Sequence, residues 1–315
     1  MAASLLTAGR VALHNVAKVR DIITMGKLLA YMGASVSTSE FPAADYAFQA
    51  HTISDAVAPY ELVKTMRASI LTLGPTLART GIARVSLPGG CAIGARPVDL
   101  HLTALEKMGA EIVTSHGYIE ARAPKGGRLK GAHIVFEKIT VTGTENILMA
   151  AALADGETIV ENAAREPEVS DLVVLLRKMG AQISGDETSA LRIQGAASLH
   201  GAEHSVIPDR IEAGTFLVAC AITNGDITIT NCEPRHLGAV IDKLCQVGAS
   251  IEEASPGSLR VRGPKMLSPP TSLRRNIRVS PPTCRPSTWH WPHKPKALPP
   301  SPKLFSRIAT CTPVK

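Results

Sequence analysis

The chain reads as an α/β fold assembled from repeated units of about 70 residues, and two independent series of marks lead to that reading. One series is a helix ending followed by glycine: Met32-Gly33-Ala34, Met108-Gly109-Ala110, Met179-Gly180-Ala181 and Val247-Gly248-Ala249, with glycine spacings of 76, 71 and 68. The other is a glycine turn between an apolar helix and a β-rich run, at Gly9, Gly81, Gly156 and Gly225, with spacings of 72, 75 and 69. Two unrelated marks with one period define a unit of two helices and several strands. Such units bury their apolar faces by packing helices inward and sheets outward.

Taken in chain order, the first unit runs from the Gly9 turn to the helix ending at Gly33. The second turns at Gly81, and its later helix ends at Gly109, where Ala110-Glu111-Ile112-Val113 alternates as a strand does. In the third, the apolar stretch from Asn146 to Ala154 predicts a helix, and Gly156-Glu157-Thr158-Ile159-Val160-Glu161-Asn162 a turn and strand. Leu172, Leu175, Leu176 and Met179 then recur with helical period up to the C-cap glycine. The fourth repeats this order: Ile211 to Thr223 as helix, Gly225 to Asn231 as turn and strand, and Leu237, Val240, Ile241 and Leu244 as the second helix.

The 315 residues carry a net charge of +7, but it is unevenly placed. From Pro264 onward there are ten Lys or Arg and no acid, leaving 24 basic against 27 acidic residues before that point, a net −3. The same 52 residues hold 12 of the 22 prolines and both tryptophans. A mildly acidic body argues against nucleic acid as partner, and a basic tail scattered among prolines offers no helical face to nucleic acid or membrane. No run of 18 apolar residues and no signal-like start exist, so a cytoplasmic location is expected. The six cysteines show neither Cys-x-x-Cys nor zinc-type His spacing, so neither a disulfide framework nor a metal site is expected.

Chemistry concentrates in Leu87-Pro88-Gly89-Gly90-Cys91-Ala92-Ile93-Gly94-Ala95-Arg96-Pro97-Val98-Asp99-Leu100. Glycines let a ligand approach the main chain, Arg96 offers a planar donor fork for phosphate or carboxylate, and a cation near Cys91 favours its thiolate. Cys220 and Cys245 sit in apolar helical patterns and Cys232 ends a strand, so these read as structural thiols. His101, on the helix after this loop, reads as a surface or interface residue, and Asp209 as a helix start.

This loop, with Lys64-Thr65-Met66-Arg67-Ala68-Ser69, Glu161-Asn162-Ala163-Ala164-Arg165-Glu166-Pro167-Glu168 and Pro208-Asp209-Arg210-Ile211-Glu212, resembles the bacterial UDP-N-acetylglucosamine 1-carboxyvinyltransferases over roughly residues 1 to 265. The resemblance implies an enolpyruvyl-transferase-like inside-out α/β barrel of βαβαββ units, about four of six being present. It implies a Cys-loop domain at 1–207 with its first repeat truncated, the first repeat of a second domain at 208–265, and a non-homologous, disordered tail at 266–315. The implied reaction moves enolpyruvate from phosphoenolpyruvate to the 3-hydroxyl of UDP-N-acetylglucosamine, the first committed step of peptidoglycan synthesis, without a cofactor. Cys91 is then the general acid and the thiol that fosfomycin alkylates, with Arg96 as its catalytic cation. Arg67 and Arg96 bind phosphate and sugar-nucleotide groups. Pro97, Val98, Asp99, Leu100, Lys138, Ile139, Thr140 and Val141 hold the UDP moiety. The related 3-phosphoshikimate 1-carboxyvinyltransferase is disfavoured by the Pro-Gly-Gly-Cys loop, and a non-catalytic sugar-nucleotide-binding remnant is the alternative from another class.

Two departures from the family pattern bear on activity. The family's Lys-Asn pair ahead of its first helix has no counterpart, since the chain starts at Met1-Ala2-Ala3-Ser4-Leu5-Leu6. Where the family has Gly-Phe-Pro-Thr-Asp-Met-Gln-Ala, the chain reads Val279-Ser280-Pro281-Pro282-Thr283-Cys284-Arg285-Pro286. A codon string for the first octapeptide, read from its second base, gives the second. The expectation is therefore a truncated, inactive copy, frameshifted after about residue 266. The gene's nucleotide sequence tests this: a single-base change should restore the Asp-containing stretch, and its failure to do so would refute the frameshift.

Overall fold

A computed structural model describes residues 1–39, 44–87 and 98–265, which divide into one unit at Met1–Val206 and another from Ile207 onward. In the first unit a buried 3-10 turn, Ala2–Leu6, leads into β1 (Val11–Val16), α1 (Arg20–Tyr31), β2 (Ser35–Thr38) and β3 (Ala44–Gln49). The second repeat runs through β4 (Val57–Ala58), the short α2 (Tyr60–Val63), a 3-10 segment Arg67–Thr72, α3 (Leu73–Thr80), β5 (Ile82–Ser86), α4 (Asp99–Lys107), β6 (Glu111–Ser115) and β7 (Tyr118–Arg122). The third comprises β8 (His133–Val135), α5 (Val141–Ala151), β9 (Glu157–Glu161), α6 (Pro167–Lys178), β10 (Gln182–Ser184) and β11 (Ala190–Gln194), and β12 (Ala202–Ser205) follows.

The sheets have one plan. In order β4-β5-β7-β6, and likewise β8-β9-β11-β10, the first pair is parallel and the others antiparallel. A helix joins each parallel pair because only a crossover can return the chain in the same direction. The first sheet follows the same plan with a borrowed strand: β12 lies parallel to β1, Val11 opposite Ala202, so the end of the unit closes onto its beginning.

All four Met-Gly-Ala-type glycines take the left-handed conformation, φ between 88° and 104°, as a C-cap requires. Other turns are tied by arginines: Arg79 donates to the carbonyls of Leu5, Thr7, Ala50 and His51, and Arg128 to those of Leu153 and Ala196. Each guanidinium thus satisfies several carbonyls that would otherwise compete for water.

The core lies between the sheets. In α5 every residue from Asn146 to Ala151 is buried, and in α3 every one from Leu73 to Ala78. A helix buried on all sides needs apolar side chains around its whole circumference, which is why Ile147-Leu148-Met149-Ala150-Ala151 shows no amphipathic stripe. The α3–α5 seam is close enough that a Cβ on Gly74 would overlap the side chain and carbonyl of Asn146.

The second unit holds α7 (Arg210–Thr223), β13 (Asp226–Ile229), a 3-10 turn Pro234–Leu237, α8 (Gly238–Gln246), β14 (Ser250–Ser255) and β15 (Ser258–Arg262), the strands ordered β13-β15-β14. Asp209 caps α7, accepting from the amides of Ile211 and Glu212 at 2.8 and 3.1 Å. Leu217, Cys220, Leu237, Leu244 and Val261 form its core, while Phe216 is 54% exposed. Cys232 is also buried, but Cys245 is exposed, unlike the structural thiol its helical pattern implies. Among the described residues no helix is long and apolar enough to cross a membrane.

Gly74→Ala should lower stability by about 1–3 kcal/mol, because the seam cannot take another methyl group. Gly238→Ala, at a position with open space, should be neutral or raise it by up to about 1 kcal/mol. Urea denaturation of both variants measures the contrast, and equal losses would contradict the close seam.

Candidate functional site

Of the residues singled out by sequence, Cys91, Arg96 and Pro97 lie outside the described residues. The others fall on three segments of the first unit. Arg67 opens the 3-10 segment before α3 and is half-buried. Val98, 7% exposed, precedes α4, and Asp99 and Leu100 form its first turn. Lys138, Ile139, Thr140 and Val141 lead from the sheet into α5, Lys138 and Ile139 both exposed.

The entry into α5 is built by threonines. Thr140 is its N-cap and accepts from the Gly143 amide at 3.2 Å, while Thr144 donates to the Thr140 carbonyl at 2.8 Å and accepts from the Ala164 amide at 3.1 Å. The stretch 138–141 therefore meets the positive end of a helix dipole, an environment that favours anions. An exposed lysine beside it adds charge of the same sign.

What joins the three segments is a residue that sequence reasoning misplaced. His101 is 1% exposed, not on the surface, because α4 packs that face against α5. Its Nε2 lies 3.3 Å from Thr142 Oγ1 and its Nδ1 3.1 Å from Asn146 Nδ2. Asn146 is itself completely buried; its Nδ2 donates to the Ile70 carbonyl at 3.1 Å and its Oδ1 accepts from the Gly74 amide at 2.8 Å.

Hydrogen placement follows from this geometry. A backbone amide can only donate and a carbonyl can only accept, so the Asn146 amide has one orientation, with Nδ2 presenting its second hydrogen to His101. The Nδ1 of His101 is then an acceptor and the proton sits on Nε2, which donates to Thr142. Protonating the ring would set two donors against each other at 3.1 Å. Burial and, next, the positive charge of Arg67 push the imidazole in the same direction, down to about 4. A histidine whose pKa falls on folding stabilises the protein above its unfolded value, and this stabilisation is lost as pH falls from about 6.5 toward 4.

A second polar cluster lies beside α5 around Glu145, the neighbour of Asn146 in sequence. Glu145, Glu168, Asp171 and His204 line a cavity of about 190 Å³ with Leu13, Met149 and Leu172 among its apolar walls. His204 is 5% exposed and pairs through Nε2 with Asp171 at 2.9 Å. Burial, with Glu168 adding repulsion, raises Glu145 to about 8. Neither pair gave a sequence signal, since each joins residues at least 23 positions apart or depends on burial alone.

Comparison with known proteins fits this architecture. A sequence model of the EPSP synthase family (3-phosphoshikimate 1-carboxyvinyltransferase) matches residues 1–286. The chain is 60% identical over 270 residues to a UDP-N-acetylglucosamine 1-carboxyvinyltransferase of Acidobacterium capsulatum, and 58% identical to proteins of the same name from Koribacter versatilis and Solibacter usitatus. These matches cover 84–85% of this chain but only 61–62% of the relatives, so the chain spans about three-fifths of their length. Among solved structures, the enolpyruvyl transferase NikO from Streptomyces tendae superposes with a TM-score of 0.73 at 21% identity, over 85% of this chain and 63% of that one. EPSP synthase from Acinetobacter baumannii gives 0.61 at 20%, over 84% and 62%. Repeated parallel-first sheets around buried helices, a family match over most of the chain and the likeness to these folds lead to one conclusion: the chain belongs to the EPSP synthase family of enolpyruvyl transferases.

Proposed function

We propose that the chain acts in transfer of enolpyruvate from phosphoenolpyruvate to the 3-hydroxyl of UDP-N-acetylglucosamine, in the cytoplasm, and that its first unit supplies the surface that holds the nucleotide sugar. The observation that carries this reading is 60% identity over 270 residues to a protein named for that reaction. Geometry adds support, because Arg67, the α4 start and the α5 entry meet around one buried imidazole although they are separated by more than 30 residues each.

In this reading the residues divide the work. Lys138 and the amide end of α5 face the diphosphate, a dianion that a lysine and a helix N-terminus both stabilise. Pro97, Val98, Asp99, Leu100, Ile139, Thr140 and Val141 supply main-chain groups and apolar contact for the uridine. Arg67 and Arg96 take oxyanions. Cys91 delivers a proton to the methylene carbon of phosphoenolpyruvate as the sugar hydroxyl oxygen bonds to the adjacent carbon and sheds its proton to solvent; the bond from that carbon to the phosphate oxygen then breaks, inorganic phosphate leaves, and the proton lost from the former methylene restores the Cys91 thiol. The division into a Cys-loop domain at 1–207 and the first repeat of a second domain from 208 belongs to the same proposal.

Titrating UDP-N-acetylglucosamine by calorimetry while following phosphate release from phosphoenolpyruvate tests it. Turnover supports the transferase, saturable binding without turnover supports the sugar-nucleotide-binding alternative, and absence of both overturns the reading. Lys138→Ala should weaken binding by about tenfold, the worth of one charge-assisted contact.

A further inference from the structure

We propose that His101 is a positioning residue for the nucleotide-sugar surface, holding the α4 start, the α5 entry and the Arg67 segment in one fixed register. The inference rests on the functional reading above and deepens it, since His101 is placed behind the surface and not on it.

Every hydrogen in the chain of contacts runs one way: the Gly74 amide donates to Asn146 Oδ1, Asn146 Nδ2 donates to the Ile70 carbonyl and to His101 Nδ1, and His101 Nε2 donates to Thr142 Oγ1. The imidazole ties α4 to α5 at two points, Thr142 and Asn146, through opposite edges of a rigid ring, and Asn146 carries the link on to Ile70 and Gly74. Lysine or arginine could not accept from Asn146, and a hydroxyl could not span the gap to Thr142.

Each end of the relay abuts a binding stretch. Thr142 is two residues past the Thr140 cap, so its position sets where Lys138 to Val141 enter the helix. Ile70 and Gly74 lie three and seven residues past Arg67, across the 3-10 segment and the first turn of α3. His101 itself is one residue past Leu100, in the first turn of α4. A displacement of the ring therefore moves all three stretches, while the ring touches none of the surface they form. Buried relays of this kind have one satisfied arrangement, because any shift leaves a donor or acceptor unmatched. Burial at 1% exposure keeps water from substituting for a lost partner.

Four variants test the proposal: His101→Ala, His101→Asn, His101→Gln and Thr142→Val. Asn reproduces the Nδ1 position and Gln the Nε2 position. If the Thr142 contact sets the α5 entry, the affinity for UDP-N-acetylglucosamine should fall about tenfold in the Ala variant, remain low in Asn and recover in Gln. Thr142→Val, nearly isosteric and only half-buried, should reproduce the Ala loss with the melting temperature little changed, and so keeps the test open if His101→Ala does not fold. A purely structural role would lower melting temperature in the His101 variants and leave the affinity of the folded protein within twofold of wild type; that result overturns the proposal. Amide exchange supplies a readout independent of ligand. In the Ala variant, amides of 67–74 and 141–146 should both exchange faster than those of α6. If wild type does not bind the nucleotide sugar, the functional reading fails; unchanged exchange in those two stretches overturns the positioning role whatever the binding result.

Discussion

Asn146 occupies the point where the two innermost helices of the first unit meet, and its amide does what no apolar side chain there could do. The Gly74 N–H near the start of α3 is one of the donors a helix cannot satisfy from within, and at this depth no water reaches it. Asn146 Oδ1 accepts that hydrogen from a neighbouring helix, acting as a cap supplied in tertiary contact. The same side chain binds the Ile70 carbonyl just before α3 and the ring of His101 on α4. Without it, the Gly74 N–H and the Nδ1 of His101 would be buried unmatched, each costing about 1–3 kcal/mol, while the Ile70 carbonyl would keep only the Leu73 amide. Gly74 is the matching constraint: only a residue without Cβ leaves room for the amide.

From that seam the arrangement of the proposed nucleotide-sugar stretches follows. The Asn146 and His101 contacts tie together the starts of α3 and α4, both in the second repeat, and of α5 in the third. Arg67, Val98 to Leu100 and Lys138 to Val141 all precede or open such elements. These stretches stand at helix starts, where backbone amides remain available, while the buried residues of α3 and α5 fill the core. The acidic cavity around Glu145 and the His204–Asp171 pair sits on the same α5 but serves a different set of neighbours.

Much of the fold was readable because its marks are local. Gly33, Gly109, Gly180 and Gly248 end helices with positive φ, a requirement few other residues meet, and their spacing exposes the repeat. The uniformly apolar stretch after Asn146 announced a buried helix. By contrast, β12 joins the first sheet through Ala202-Glu203-His204-Ser205, which lacks an apolar alternation, and only its pairing with β1 across more than 180 residues makes it a strand. His101 and Asn146 escaped for the same reason. Each looks like an ordinary polar helix residue until a partner 45 positions away buries both. The stretches proposed to bind were chosen by family resemblance, and no composition or period would have selected Ile139 or Val98. Cys91, Arg96 and Pro97 were the clearest chemical signal and lie outside the described residues.

The central claim is that one neutral imidazole with its proton on Nε2 completes a fully matched buried relay. Nitrogen-15 NMR of His101 across pH 7.5 to 4.5 measures this directly, since the two ring nitrogens report tautomer and protonation separately. The account predicts a proton on Nε2, a bare Nδ1 and no titration until pH approaches about 4. A proton on Nδ1, or protonation near the ordinary histidine value of about 6.5, would contradict it.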